Sequence, residues 1–191
     1  MKLYFIRHGE VTIKNNEYFR AHLSKEGIEQ GKQLLEKGVL PKPDKIYSSH
    51  FVRAQESAKI LAKHFQISVT IKKCLGEWKI QELNIQFDKF LEEEKQAREN
   101  LNLIVSGGES FAMARERIYN CTTEICKENP QVKNLIIVSH GNVLYLLFKK
   151  LLNQEPTFNE ESEQIKLFDY GIIEYSDKKF RVIRNIITKP T

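Results

Sequence analysis

Apolar residues in this chain fall either into short unbroken runs or into stretches with helical spacing, and the two kinds alternate. Leu3-Tyr4-Phe5-Ile6 is a run of four followed by charge, which predicts a buried strand at the N-terminus. Ser24 is a good N-cap; Gly27-Ile28 and Leu34-Leu35 follow at helical spacing, and Gly38 marks the stop. Pro41 and Pro43 keep the next stretch extended into a strand at Lys45-Ile46-Tyr47. Ala54, Ala58, Leu61, Ala62 and Phe65 recur three and four apart, so Phe51 to Phe65 is expected to be a helix. Ile67 to Ile71 alternates polar and apolar residues and predicts another strand. A helix is expected near Phe87 to Asn100, bounded by Gly107-Gly108, and another from the Ser110 cap to about Lys127, ended by Asn129-Pro130.

Leu135-Ile136-Ile137-Val138 is the strongest buried-strand signal, and an apolar helix with Val143, Leu144, Leu147 and Leu151 follows it. Two more strand-like runs, Ile172 to Tyr175 and Phe180 to Ile187, turn at Ser176-Asp177. Strands alternating with helices predict an α/β fold of three layers, a mostly parallel central sheet with helices on both faces. At 191 residues, with 41% hydrophobic and 29% charged residues, the chain suits a single globular domain over 1–191 and excludes disorder.

The 30 basic and 25 acidic side chains leave a net charge of +5, spread along the chain and interrupted by Glu92-Glu93-Glu94. Without a basic stripe this favours anionic small molecules and gives no ground for a nucleic-acid partner. Glu92 to Glu94 is expected to be a solvated helix face. Three cysteines, Cys74, Cys121 and Cys126, have no histidine or further cysteine at zinc spacing, so no metal site and three reduced thiols are expected. The first apolar run is too short for a signal peptide or a membrane span, which makes the cytoplasm the expected location. Nothing in the sequence sets an oligomeric state.

The chemistry gathers where polar residues follow strands. Arg7-His8-Gly9-Glu10 follows the first strand, Ser48-Ser49 and then Arg53 the second, and Ser139-His140-Gly141 the strongest. Ligands of open α/β sheets bind beyond the carboxyl ends of the strands. These ends therefore bring Arg7, His8, Arg53 and His140 to one edge. Two guanidiniums suit phosphate oxygens, and Gly9 and Gly141 allow backbone amides close to a ligand. One neutral imidazole could attack phosphorus, since neighbouring arginines disfavour imidazolium, while the other stabilises charge on the phosphoryl oxygens. His22, His50 and His64 are expected to be structural or surface residues, with His50 near the site, and Trp78 is expected to pack.

These segments resemble the motifs of the histidine phosphatase superfamily, in the branch that holds cofactor-dependent phosphoglycerate mutases and small broad-specificity and α-ribazole-type phosphatases. Leu3 to Glu10 with Arg-His-Gly-Glu resembles the family's signature. Leu23-Ser24-x-x-Gly27 resembles its helix start, and Ile46-Tyr47-Ser48-Ser49 with Arg53-Ala54 its second arginine motif. Leu75-x-Glu77 resembles its acid motif, Gly108-Glu109-Ser110 its Gly-Glu-Ser, and Val138-Ser139-His140-Gly141 its second histidine. The match spans roughly residues 3–145.

The resemblance implies a phosphoglycerate mutase-like fold, a phosphohistidine on His8, a phosphate pocket of Arg7, His8, Arg53 and His140, and no metal or cofactor. It makes Glu77 the candidate proton donor, with Glu82 the alternative because the usual Gly-x-Trp-Glu-Gly is replaced by Trp78-Lys79-Ile80-Gln81-Glu82. His50 stands where the family prefers proline, Glu56-Ser57 replaces Gln-Thr, Asn142 replaces a second glycine, and Asn15, Asn16 and Arg20 stand in a shortened specificity loop.

Family mutases carry a longer, arginine-rich insertion after the acid motif. Here the lid-like insertion at about 79–106 has four basic residues (Lys79, Lys89, Lys95, Arg98) against six acidic (Glu82, Asp88, Glu92, Glu93, Glu94, Glu99). The expected activity is therefore hydrolysis of a small phosphomonoester, with phosphoglycerate mutase or a catalytically weak phosphate-binding module as the alternatives.

Overall fold

The structure, a computed structural model, describes residues 1–15, 17–78, 87–105, 108–157 and 165–188. In chain order its elements are β1 (Lys2–Arg7), β2 (Val11–Thr12), β3 (His22–Leu23), α1 (Lys25–Glu36), β4 (Lys45–Ser48), α2 (Val52–Phe65), β5 (Val69–Ile71), α3 (Phe87–Glu99), α4 (Phe111–Glu128), β6 (Asn134–Ser139), α5 (Gly141–Leu151), β7 (Tyr170–Ser176) and β8 (Lys179–Arg184). Short 3-10 turns lie at Tyr18–Arg20 and Lys73–Leu75.

Alternation along β1 decides the layering. Leu3 and Phe5 enter one core with residues of α4 and α5, while Tyr4 and Ile6 enter another with Leu34 of α1 and Ala54, Ala58 and Leu61 of α2. The six-stranded sheet runs β5-β4-β6-β1-β7-β8. β5, β4, β6 and β1 are parallel, and β7 and β8 continue the sheet antiparallel beyond β1. The chain leaves β1, builds β4 and β5, and returns to place β6 between β4 and β1. The ends of these three central strands lie level, with Arg7 opposite Ser139 and Ser48 opposite Val138.

Most predicted elements form where the pattern placed them. Ser24 caps α1 by accepting the Gly27 N–H at 2.9 Å, and Ser110 caps α4 through Met113 N–H at 3.1 Å. The two-residue ribbon of β2 and β3 was not anticipated, since two residues show no period. The last strand ends at Arg184 instead of Ile187; Ile186 turns into the core, where it packs beside Gly171. Gly107 lies outside the described residues.

Two expectations are corrected. Glu92 is exposed, but the Glu94 side chain is only 13% exposed and bonded within the protein, so this is not a uniformly solvated face. The cysteines are not three free thiols: Cys74 and Cys121 form a disulfide and Cys126 is free and buried, its thiol pushed up to about 12 by burial. The pair joins residues 47 apart because the 73–75 turn packs on α4, a proximity that cysteine spacing cannot report. Alkylation of the unfolded, unreduced protein should add one label by mass spectrometry and three after reduction; three labels without reduction would exclude the bond.

Gly27 positions the chain that follows His8. Ser24 N–H donates to Glu10 O at 3.0 Å and Ser24 Oγ donates to Glu10 Oε2 at 2.7 Å, which draws the first turn of α1 onto this segment. A Cβ at Gly27 would lie 2.2 Å from Glu10 O, a clash with backbone. Gly27→Ala should therefore lower unfolding stability by about 1–3 kcal/mol in urea titration, where an unchanged midpoint would show that the turn relaxes freely.

Candidate active site

His8 follows β1, is 2% exposed, and has a defined tautomer. Its Nδ1 lies 2.7 Å from Gly9 O, and a carbonyl only accepts, so Nδ1 carries the proton. Arg53 Nε then donates to the unprotonated His8 Nε2 at 3.2 Å. Burial first, then the charges of Arg53 and Arg7, hold the imidazole well below the ordinary histidine range, so it is neutral with its lone pair on Nε2.

Arg53, in the first turn of α2, is fully buried, its guanidinium 4.6 Å from the Tyr18 ring centre and 5.0 Å from that of Phe51. Its Nη1 donates to Tyr18 O at 3.2 Å. Arg7 Nη1 donates to Ile165 O. Among the described residues neither guanidinium has a carboxylate within ion-pair distance, and the buried Arg53 Nη2 and Arg7 Nε have no hydrogen-bond partner. Buried charge is normally paired, and this pair of cations is shaped for an anion.

His140 ends β6 at the N-cap of α5, its ring centre 5.0 Å from that of His8. Its Nε2 lies 2.7 Å from Ser49 Oγ, which already accepts the Phe51 N–H at 3.2 Å and can give its own hydrogen to the ring. The ring proton then sits on the buried Nδ1, which has no partner. Burial first, then Arg53, His8, His50 and Arg7, holds His140 well below its ordinary range. Gly141 makes room for Arg7: a Cβ there would meet the guanidinium carbon at 3.2 Å. Gly9 differs from expectation, because its amide already donates to Ser57 Oγ at 3.1 Å.

The Glu77 carboxylate lies against the N-terminus of α5, accepting N–H groups of Asn142 and Val143 at 3.2 Å each and of Trp78 at 2.9 Å. Burial raises its pKa, opposed by the Trp78 N–H, by Arg53 and by the Asn142 N–H. Glu82 and Asn16 lie outside the described residues. Trp78 is fully buried against Phe111, as expected of a packing residue.

Arg7, His8 and Glu77 line a cavity of about 480 Å³, with Arg53 and His140 buried against His8 and not part of its wall. Tyr18, Phe87, Phe90, Leu91 and Tyr145 form much of the remaining wall. Glu94, Arg98 and Asn142 add a polar stretch to it: Asn142 Nδ2 donates to Glu94 Oε1 at 2.6 Å, and Arg98 Nη2 donates to Glu94 Oε1 and Asn142 Oδ1 at 3.2 and 3.3 Å. None of the aromatic wall was singled out from the sequence, because helical spacing marks core and cavity residues alike. Asn15 and Arg20 are not part of this wall; Arg20 pairs with Glu17 on the surface at 3.8 Å.

The order of these residues along the chain, and their convergence on one strand-end crevice, matches the histidine phosphatase superfamily (branch 1), whose family model covers residues 3–187. The chain belongs to this superfamily. It is 25% identical to a probable phosphoglycerate mutase GpmB of Salmonella paratyphi C over 190 residues, covering 94% of this chain and 87% of that protein. It is 27% identical to the adenosylcobalamin/alpha-ribazole phosphatase of Escherichia coli over 164 residues, covering 80% and 79%. This histidine phosphatase fold superposes on Bacillus stearothermophilus YhfR with a TM-score of 0.78 at 22% identity, covering 96% of this chain and 95% of that one. A mycobacterial glucosyl-3-phosphoglycerate phosphatase gives 0.74 at 19% identity, covering 97% and 98%.

With His8 and His140 both held below the ordinary histidine value of about 6.5, the unfolded chain takes up protons that the folded chain refuses as pH falls past that value. Their contribution to stability is present above that pH and lost below it. Urea midpoints should fall between pH 7 and pH 5, and His140→Asn should flatten that decline; an unchanged slope would exclude a buried neutral His140.

Proposed function

We propose that this protein is a phosphomonoester phosphatase that works through a phosphohistidine on His8, without a metal or cofactor. The observation that carries the reading is the pair of guanidiniums, Arg7 half-buried and Arg53 fully buried, that have no carboxylate partner among the described residues and flank a neutral imidazole whose Nε2 lone pair faces Arg53 Nε. A phosphate dianion satisfies both arginines, and His140 donates Nδ1–H to a phosphoryl oxygen.

In the first half-reaction His8 Nε2 forms a bond to phosphorus as the ester P–O bond breaks, and the Glu77 proton goes to the leaving oxygen. Gly9 O keeps its bond to Nδ1–H while the ring becomes positively charged. In the second, water attacks phosphorus and Glu77 takes its proton. The N–P bond breaks with its electron pair returning to Nε2, and orthophosphate leaves. Burial holds Glu77 as the acid for the first step, and its N–H partners stabilise the carboxylate needed for the second.

The substrate is a small phosphorylated molecule, and α3 within the 79–106 segment is the lid over a single catalytic domain. Hydrolysis is favoured over mutase chemistry because the cavity beyond the phosphate end is largely apolar, and its cation among the described residues, Arg98, is bonded to Glu94 and Asn142. A bisphosphate would need a second cationic cluster there. The cytoplasmic location expected from the sequence is weighed against by the Cys74–Cys121 bond, since cytosolic thiols are usually kept reduced.

Wild type should release phosphate from p-nitrophenyl phosphate in EDTA, and His8→Ala should lose roughly three orders of magnitude or more in kcat. Turnover abolished by EDTA, or surviving in His8→Ala, would sink the mechanism. Isomerisation of 3-phosphoglycerate in the presence of bisphosphate, without net phosphate release, would establish the mutase instead. Thermal stabilisation by phosphate with no turnover of any ester would leave a binding module.

A further inference from the structure

One side chain on α4 holds the segment that carries Glu77. Arg117 Nη1 donates to Cys74 O at 2.7 Å and Gly76 O at 2.9 Å, and Nη2 donates to Glu77 O at 3.2 Å. Ser139 Oγ takes the intervening carbonyl, donating to Leu75 O at 2.8 Å. Four consecutive carbonyls, Cys74 to Glu77, are thereby held by side-chain donors, where an irregular segment would ordinarily turn them to water.

The charge of Arg117 is matched by Glu109, which accepts Nε at 3.1 and 3.0 Å and a further bond from Nη2. Glu109 O also accepts the indole N–H of Trp78. The residues before and after Glu77 are thus tied to one ion pair. Cys121, one helical turn beyond Arg117, is bonded to Cys74 and fastens the same segment to the same helix.

Arg117 does not line the cavity, so it meets no substrate. A proton donor must lie within hydrogen-bond reach of the leaving oxygen, and a displacement of about 1 Å can cost about a hundredfold in rate. We propose that Arg117, neutralised by Glu109, is a positioning residue for the catalytic acid, fixing the Glu77 backbone so that its carboxyl meets the ester oxygen. This rests on the reading of Glu77 as proton donor. Arginine suits the task because its planar fork reaches three carbonyls and a carboxylate together, which the single ammonium of lysine cannot do.

The test compares esters that differ in their need for a proton. Benzyl phosphate releases a strongly basic alkoxide, whereas p-nitrophenyl phosphate releases a stable phenolate. Glu77→Gln should lose kcat/KM, which reads the first half-reaction alone, on benzyl phosphate at least about tenfold more than on p-nitrophenyl phosphate. Arg117→Ala and Arg117→Lys should reproduce that selective loss with KM changed less than about threefold, and Glu77→Gln/Arg117→Lys should lose no more than Glu77→Gln alone. If Arg117→Ala does not fold, Arg117→Lys, which keeps a cation facing Glu109, carries the comparison. Equal losses on both esters in Arg117→Lys, or additive losses in the double variant, would overturn the positioning role and leave the acid reading intact. Absence of selective loss in Glu77→Gln would overturn the acid reading, and the positioning role with it.

Discussion

Two guanidiniums against one buried imidazole, Arg53 fully buried and Arg7 half-buried, set the terms for the rest of the molecule. Taking an ion out of water costs on the order of several kcal/mol even after the protein relaxes; Arg53 is fully buried, and among the described residues neither it nor Arg7 has a carboxylate in contact to offset that cost. The fold compensates with carbonyls, Ile165 O for Arg7 and Tyr18 O for Arg53, and with the Tyr18 and Phe51 ring faces beside Arg53. It also keeps His8 and His140 neutral, through burial first and then through the charge of the neighbouring guanidiniums. The position of β6 between β4 and β1 is what brings the members of this cluster together.

Glu77 is held between opposing forces. Removal from water favours its acid form, while the free N–H groups at the start of α5 favour the carboxylate. In the proposed mechanism Glu77 gives a proton and later takes one, and such a balance suits both steps provided the group stays in place. The bonds from Arg117 and Ser139 act on its backbone and not on its carboxyl, so they restrain position without choosing a protonation state.

The family's second glycine after the histidine is here Asn142, whose N–H meets Glu77 and whose side chain meets Glu94 and Arg98 on α3. The helix whose Phe87, Phe90 and Leu91 wall the cavity is thereby joined to the helix start that holds the Glu77 carboxyl group.

The sequence by itself determined the sheet's strands, the helix caps at Ser24 and Ser110, and the convergence of Arg7, His8, Arg53 and His140. Each follows from local periodicity, or from residues placed directly after a strand. It did not reveal Arg117 as the partner of the Cys74, Gly76 and Glu77 carbonyls, Ser49 as the partner of His140, or the pairing of Cys74 with Cys121. Nor did it separate the cavity wall at Tyr18 and Phe90 from ordinary core. These depend on which surfaces meet after the chain has crossed the sheet. An arginine on a helix face carries the same local signal whether it meets water or three carbonyls, and only tertiary packing decides between them.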